Sequence, residues 1–178
     1  GYDALLTEML DYAEKTFPHP QNATLTVFAY DYDAPLEALL ASRGYEKQAE
    51  HPDYDSVFEI GTLPELKLPA GYRLQSMADE NDIERRREAF GRGFNHEDPI
   101  EWPTAFSYRE LQKAPDYRPE QDLYIVGPEG DHVSFCIVWH DAHNKIGSLE
   151  PVGTHPAYRR RGLACEVVLE AIRRVAAL

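Results

Sequence analysis

Cysteine is almost missing from this chain: Cys136 and Cys165 are the only two among 178 residues. Two thiols cannot build the disulfide framework that holds small secreted domains together. Apolar residues flank both, so buried, reduced thiols in a cytoplasmic setting are expected. Long apolar runs are missing too. No stretch approaches the ~20 residues of a membrane-crossing helix, and the opening residues lack the pattern of a secretory leader. Basic charge is the third shortage, with 18 Lys and Arg against 31 Asp and Glu, a net charge of -13 at pH 7. That balance argues against nucleic acid or an anionic membrane as a partner and suits a cationic amine. His140 and His143 flank Asp141 but have no third ligand at workable spacing, so no metal is expected. The chain begins with Gly1 rather than Met, and helical periodicity starts at once, which reads as a piece of a longer protein.

Against this acidic background three arginines stand together. They lie in Val152-Gly153-Thr154-His155-Pro156-Ala157-Tyr158-Arg159-Arg160-Arg161-Gly162-Leu163-Ala164. Lys145 to Pro151 before it reads as a strand. Cys165 to Leu178 after it carries Val167, Val168, Ala171, Ile172 and Val175 at helical spacing. A helix start offers unpaired N–H groups and a positive dipole end, a ready place for phosphate. Gly162 lets the backbone approach an anion closely, and Ala164 keeps the helix entry uncrowded. Arg159, Arg160 and Arg161 add charge suited to gripping phosphate oxygens. Three arginines at a helix start also suit a solvated corner, and the basic turn by itself leaves both readings open.

The remaining chain divides in two. Ala4 to Phe17 is an amphipathic helix with Leu5, Leu6, Met9, Leu10 and Ala13 near one face, stopped by Pro18-His19-Pro20. Thr24 to Tyr30 reads as a strand, Pro35 to Arg43 as a short helix ended by Gly44, and Tyr54 to Ile60 as another strand. Residues 61–70 are a proline-bearing linker. A second unit opens with a short strand at Tyr72 to Leu74. Helices follow over Asp79 to Phe94, with Ile83, Ala89 and Phe90 inward, and over Thr104 to Lys113, with Thr104 as N-cap. Strands are expected at Gln121 to Val126, His132 to His140 and Lys145 to Val152, separated by turns at 128–131 and 141–144.

Arg159-x-x-Gly162-x-Ala164 resembles the Arg/Gln-x-x-Gly-x-Gly/Ala signature of the GNAT acyl-CoA N-acetyltransferase superfamily. The lead-in from Val152 to Arg159 is similar to that family's fourth strand and following turn. The resemblance implies an α/β fold with a mixed, mostly antiparallel central sheet flanked by helices. It implies acetyl-CoA as cosubstrate, with backbone amides at about Arg160, Arg161, Gly162, Leu163 and Ala164 cradling the diphosphate. The edge at Val152, Gly153 and Thr154 would pair with the pantetheine arm. Residues 71–178 then look like the front half of one family unit. Residues 1–60 look like the back half of another, Leu39-Leu40-Ala41-Ser42-Arg43-Gly44-Tyr45 being similar to Leu-Tyr-x-x-x-Gly-Phe. Leu40 departs from the tyrosine that protonates the leaving thiolate, which implies a degenerate copy. A tandem acetyltransferase cut at both ends is the expected source, and no internal repeat shows because the two pieces represent different halves.

The implied activity is transfer of an acetyl group from acetyl-CoA to an amine of a small molecule or peptide. The alternative is a non-catalytic CoA-binding or regulatory module, to which Leu40 and the lack of a tyrosine after the last helix both point. Such transfer needs a deprotonated amine, a polarised thioester carbonyl and a proton for the thiolate. Strand amides near Val152 to Thr154 would polarise the carbonyl, and Glu150 is the candidate base if its side chain faces the cleft. A solvated strand residue is the other reading of Glu150. His155 could relay protons or simply lie at the surface. The loop Phe94 to Trp102 is the expected acceptor wall. Glu97, Asp98 and Glu101 would attract a cation, and Phe94 and Trp102 would supply aromatic faces. The same residues also fit a plain acidic loop. An open edge after the fourth strand invites pairing, so the strands at 24–30 and 54–60 are expected to complete a composite sheet. That happens either within the chain across a linker spanning about 30 Å or by strand exchange in a homodimer.

Overall fold

The structure is a computed structural model, and the residues it describes are 1–17, 24–48 and 56–178. The chain forms two compact units, Gly1–Val57 and Phe58–Leu178. In the first, α1 (Tyr2–Thr16) and α2 (Ala34–Ser42) form as expected, α2 capped by Asp33 accepting from the Leu36 N–H at 3.2 Å. They are joined mainly by polar links. The Arg43 guanidinium reaches Asp11 at 2.6 Å and Glu14 at 2.9 Å. Of the apolar face expected on α1, only Leu10 is buried.

Two sequence expectations fail in this region. Residues 24–30 form no strand, and neither do 56–60, while 54–55 lie outside the described residues. Phe28 is 82% exposed and Val57 96% exposed, so neither run has the neighbouring pleated surface that gives β-formers their preference. The sheet accordingly takes no strand from the first sixty residues among those described.

The second unit is a four-stranded antiparallel sheet in the order β1-β2-β3-β4: β1 (Arg73–Ser76), β2 (Asp122–Val126), β3 (His132–Asp141) and β4 (Ile146–Thr154). Its register pairs Leu74 with Ile125, Tyr124 with Phe135 and Cys136 with Val152. Every residue of β2 and the first seven of β3 are buried. These are central strands covered on both faces, which explains their nearly continuous apolar run. On one face, α5 (Leu163–Ala176) packs Leu163, Val167 and Ala171 against Leu123, Ile125, Cys136 and Val138. On the other, α3 (Ile83–Gly93) and α4 (Ala105–Leu111) bring Ala89 and Tyr108 onto Tyr124, Val126 and Phe135.

Helix α3 starts at Ile83, capped by Asp82, rather than at Asp79, whose carboxylate instead bonds the Ser76 N–H and hydroxyl at 2.8 Å. Thr104 caps α4 as expected, accepting from Ser107 N–H at 3.0 Å. The stretch read as a linker carries no helix or strand but lies along α5. There the Lys67 N–H meets Glu166 at 2.6 Å and the Pro64 carbonyl accepts from Arg173 at 2.6 Å. The two cysteines are both free, but only Cys136 is buried, with its thiol pushed up to about 12 by burial; Cys165 is exposed on the first turn of α5. Its position on the outer face there overrules the burial expected from its neighbours. No helix among the described residues is long and apolar enough to cross a membrane.

Candidate active site

Strand β4 is interrupted before it reaches the basic turn. Val138 pairs with Leu149 and Cys136 with Val152, so Ile137 faces the two residues Glu150 and Pro151. This bulge bends the strand, and beyond it Val152, Gly153 and Thr154 pair again with Cys136, Phe135 and Ser134. Beyond Thr154 the chain makes a short 3-10 turn, Pro156–Tyr158, whose first N–H is capped by His155: its Nδ1 accepts from the Ala157 N–H at 3.1 Å. Burial and the nearby Arg92 hold the His155 imidazole below its ordinary value. A neutral ring with Nδ1 engaged carries its proton on Nε2.

The turn that follows carries two residues with left-handed backbone. Arg160 has φ +63 and Gly162 φ +80, so left-handed residues alternate around Arg161 and turn successive N–H groups into one concavity. An arginine in that region costs about 1 kcal/mol, a strain that glycine avoids at 162. Gly162 supplies no capping side chain, and the first backbone bond of α5 runs from the Glu166 N–H to the Gly162 carbonyl at 3.2 Å. The amides of Leu163, Ala164 and Cys165 are the unpaired first-turn donors of a helix. A hollow of about 290 Å³ opens here, lined by Thr154, Tyr158, Arg160, Gly162, Ala164 and Cys165 among others.

The three arginines are not alike. Arg159 turns its guanidinium inward, donating to the Thr154 carbonyl at 3.0 Å, the Gly93 carbonyl at 2.9 Å and Asn95 Oδ1 at 2.7 Å. Arg161 donates to the Tyr72 hydroxyl at 2.8 Å and lies over the Tyr158 ring at 5.2 Å. Of the three, Arg160 alone makes no side-chain hydrogen bond or ion pair among the described residues, and it is exposed. Leu163 buries its side chain in the α5 core and offers its N–H alone. Val152 packs toward α5, Gly153 lies against Phe135, and Thr154 Oγ1 meets Ser134 Oγ at 2.9 Å. Glu150 is exposed, and its carbonyl accepts from Trp139 Nε1 at 2.8 Å. Glu150 and Pro151 are the doubled residues of the bulge, lying between Leu149 and Val152, which both pack toward α5.

The expected acceptor loop follows α3 directly. Asn95, at φ +64, ends the helix: its N–H bonds the Arg92 carbonyl and the His96 N–H bonds the Gly91 carbonyl at 2.9 Å, the paired closure of a Schellman stop. Phe94 is 42% exposed and stacks toward Phe90 and Phe135. Asp98 spends one oxygen capping the Ile100 N–H at 3.0 Å. Trp102 is committed on both faces of its role: Nε1 donates to the His96 carbonyl at 3.0 Å, and Arg92 lies 5.3 Å over the ring. The indole also rests on Gly91, where a Cβ would stand 2.0 Å from it. Glu101 approaches His96 at 3.4 Å, and Glu97 is exposed. The loop therefore offers Phe94 and Glu97 outward, while Trp102 holds the loop's shape.

Sequence reasoning passed over the most buried charge in the unit. Arg86 and Asp122 are fully buried and meet at 2.9 Å. Asp122 also accepts from the Tyr108 and Tyr117 hydroxyls, the latter at 3.0 Å, and Arg86 lies 4.1 Å over the Phe135 ring. The available signal was position: Arg86 lies three residues after Ile83 and four before Phe90, inside the apolar stripe of α3. Among the described residues, no group of three or more His, Cys, Asp or Glu side chains could hold a metal ion.

Residues 84–178 match the family model described as Acetyltransferase (GNAT) family. The chain belongs to this family. A comparison with curated proteins finds no match to the sequence. Among solved structures, the GNAT fold here resembles a GCN5-related N-acetyltransferase from Sphaerobacter thermophilus: TM-score 0.56, 19% identity, 80% of this chain and 44% of that one. It also resembles Saccharomyces cerevisiae N-myristoyltransferase with bound myristoyl-CoA: TM-score 0.50, 14% identity, 73% of this chain and 35% of that one. The chain thus spans less than half the length of these GNAT-fold structures, and the likeness at such identities is one of fold.

Proposed function

We propose that residues 58–178 bind acetyl-CoA and pass its acetyl group to an amine of a small molecule or a peptide. The observation that carries this reading is the turn at 160–164, whose alternating left-handed residues present free amides at a helix start. Family membership supports acyl transfer, and the yeast neighbour holds myristoyl-CoA, an acyl-CoA of the same chemical class. In the proposed reaction the amine nitrogen attacks the thioester carbonyl, the C–S bond breaks, and the departing thiolate takes a proton from water. Amides of Val152 to Thr154, beyond the bulge, would polarise the carbonyl, and Glu150 would take the amine proton directly or through water. Phe94, Glu97, Asp98 and Trp102 shape the wall an acceptor cation would meet. Free thiols suit a reducing, cytoplasmic setting, and the β4 edge is where a second chain would add a strand in a homodimer.

A non-catalytic CoA-binding module is the second reading, favoured by Leu40 at the position of the family's tyrosine. Two measurements separate them. CoA should raise the melting temperature under either reading, whereas thiol release from acetyl-CoA with an amine panel occurs only under the first. In an active protein Glu150→Gln should lower kcat at least tenfold with CoA affinity unchanged. A melting curve indifferent to CoA defeats both readings.

A further inference from the structure

Three segments that the proposed reaction needs in register meet at one guanidinium. Arg159 holds the end of β4 through the Thr154 carbonyl at 3.0 Å and the end of α3 through the Gly93 carbonyl at 2.9 Å. It holds the beginning of the acceptor loop through Asn95 Oδ1 at 2.7 Å. The next residue along the chain, Arg160, begins the left-handed turn. The Gly93 carbonyl belongs to the last turn of α3, where carbonyls lack helical partners and the dipole favours a cation. Asn95 has its backbone fixed by the helix stop, so its side chain is aimed without further cost. From there the bonding continues into the loop: His96 N–H to the Gly91 carbonyl at 2.9 Å, then Trp102 Nε1 to the His96 carbonyl at 3.0 Å. The far end of the loop is held separately by Arg87 Nε on the Pro103 carbonyl at 2.6 Å. Between these anchors, residues 97–101 are exposed and bond only within the loop or to His96.

We propose that Arg159 and Asn95 are positioning residues that couple the diphosphate turn to the acceptor loop, so that arrival of the acyl donor orders residues 94–102. The proposal rests on the acyl-CoA reading above. Arg159 is exposed to solvent, so each of its bonds is individually weak and the strut is easily loosened in the free protein. An anion seated on the amides of 160–164 fixes the backbone next to Arg159 and with it the direction of the guanidinium fork. The loop then gains its anchor only when the donor is present, a difference in population rather than a new contact. Arginine is required because its planar fork serves three acceptors at once, which a lysine ammonium on a flexible stem does not reproduce.

Hydrogen exchange read by mass spectrometry on the whole chain, with and without saturating CoA, tests this. CoA should slow exchange at 160–166 and, in the same sample, at 94–102 by threefold or more. Asn95→Gly keeps the left-handed backbone and removes the acceptor. In that variant 160–166 should still slow, CoA affinity should stay within twofold, and the effect at 94–102 should vanish. Asn95→Asp retains an oxygen for the guanidinium and should retain the coupling, while Arg159→Lys should lose it. If CoA slows 160–166 but leaves 94–102 unchanged, or slows 94–102 equally in Asn95→Gly, the coupling is overturned and the cofactor reading stands. If CoA leaves 160–166 unchanged, the cofactor reading falls and the coupling with it.

Discussion

His132 is buried at 4% exposure, its ring stacked 3.7 Å from that of Tyr124, and neither ring nitrogen has a partner among the described residues. Burial, with Arg86 adding to it, lowers its pKa from 6.5 to about 4. The folded state therefore binds fewer protons than the unfolded one between those values, and stability is lost as pH falls through that window. The loss by pH 4 is roughly 3 kcal/mol at ~1.4 kcal/mol per tenfold. Urea unfolding of His132→Phe from pH 7 to pH 4 should show an acid decline shallower by about that amount. Asp122→Asn should cost about 3–5 kcal/mol at pH 7, because it leaves the Arg86 charge buried without its counterion; the same urea titration reads it. His132 left no signal beforehand, and Arg86 only its position between Ile83 and Phe90. A histidine opening an apolar strand and an arginine within an Arg85-Arg86-Arg87 run look like surface residues until α3 and the sheet are brought together.

At the level of elements, the turn between β4 and α5 was legible because its chemistry is local: a glycine, a short spacing and a following amphipathic helix. The strands β2 and β3 were legible for a related reason, since continuous burial leaves a continuous apolar run. The segment 24–30 misled because β-branched and aromatic residues report only a willingness to be a strand, and the partner must come from elsewhere. Arg159 was assigned to phosphate by its place in a motif, while its bonds to Gly93 and Asn95 reach residues more than sixty positions away, which no local pattern encodes. Gly162 gives the clearest test at this scale. A Cβ there meets nothing within 4 Å, yet φ is +80, so Gly162→Ala should pay for backbone strain alone. That strain is roughly 1–2 kcal/mol, and calorimetric titration should show CoA binding weakened about tenfold. Gly91→Ala, by contrast, collides with the indole of Trp102 and should cost about 1–3 kcal/mol in thermal stability.

For the whole molecule, two compact units with different kinds of cohesion should unfold as two events. The first links its helices by ion pairs such as Arg43 with Asp11 and Glu14 and buries Leu10, and the second is built on two apolar clusters on either face of a sheet. Scanning calorimetry should resolve two transitions, with CoA raising only the one that belongs to 58–178. The bulge in β4 carries one more consequence. Pro151 has no N–H to give, and the doubled residues opposite Ile137 break the spacing of the outer row into two short rows, 146–149 and 152–154. Three residues in line can clasp a slender chain-like molecule, but they cannot seed a fibril. Whatever adds to this edge, a guest or a second copy of the chain, would therefore meet a row of only three or four residues and go no further.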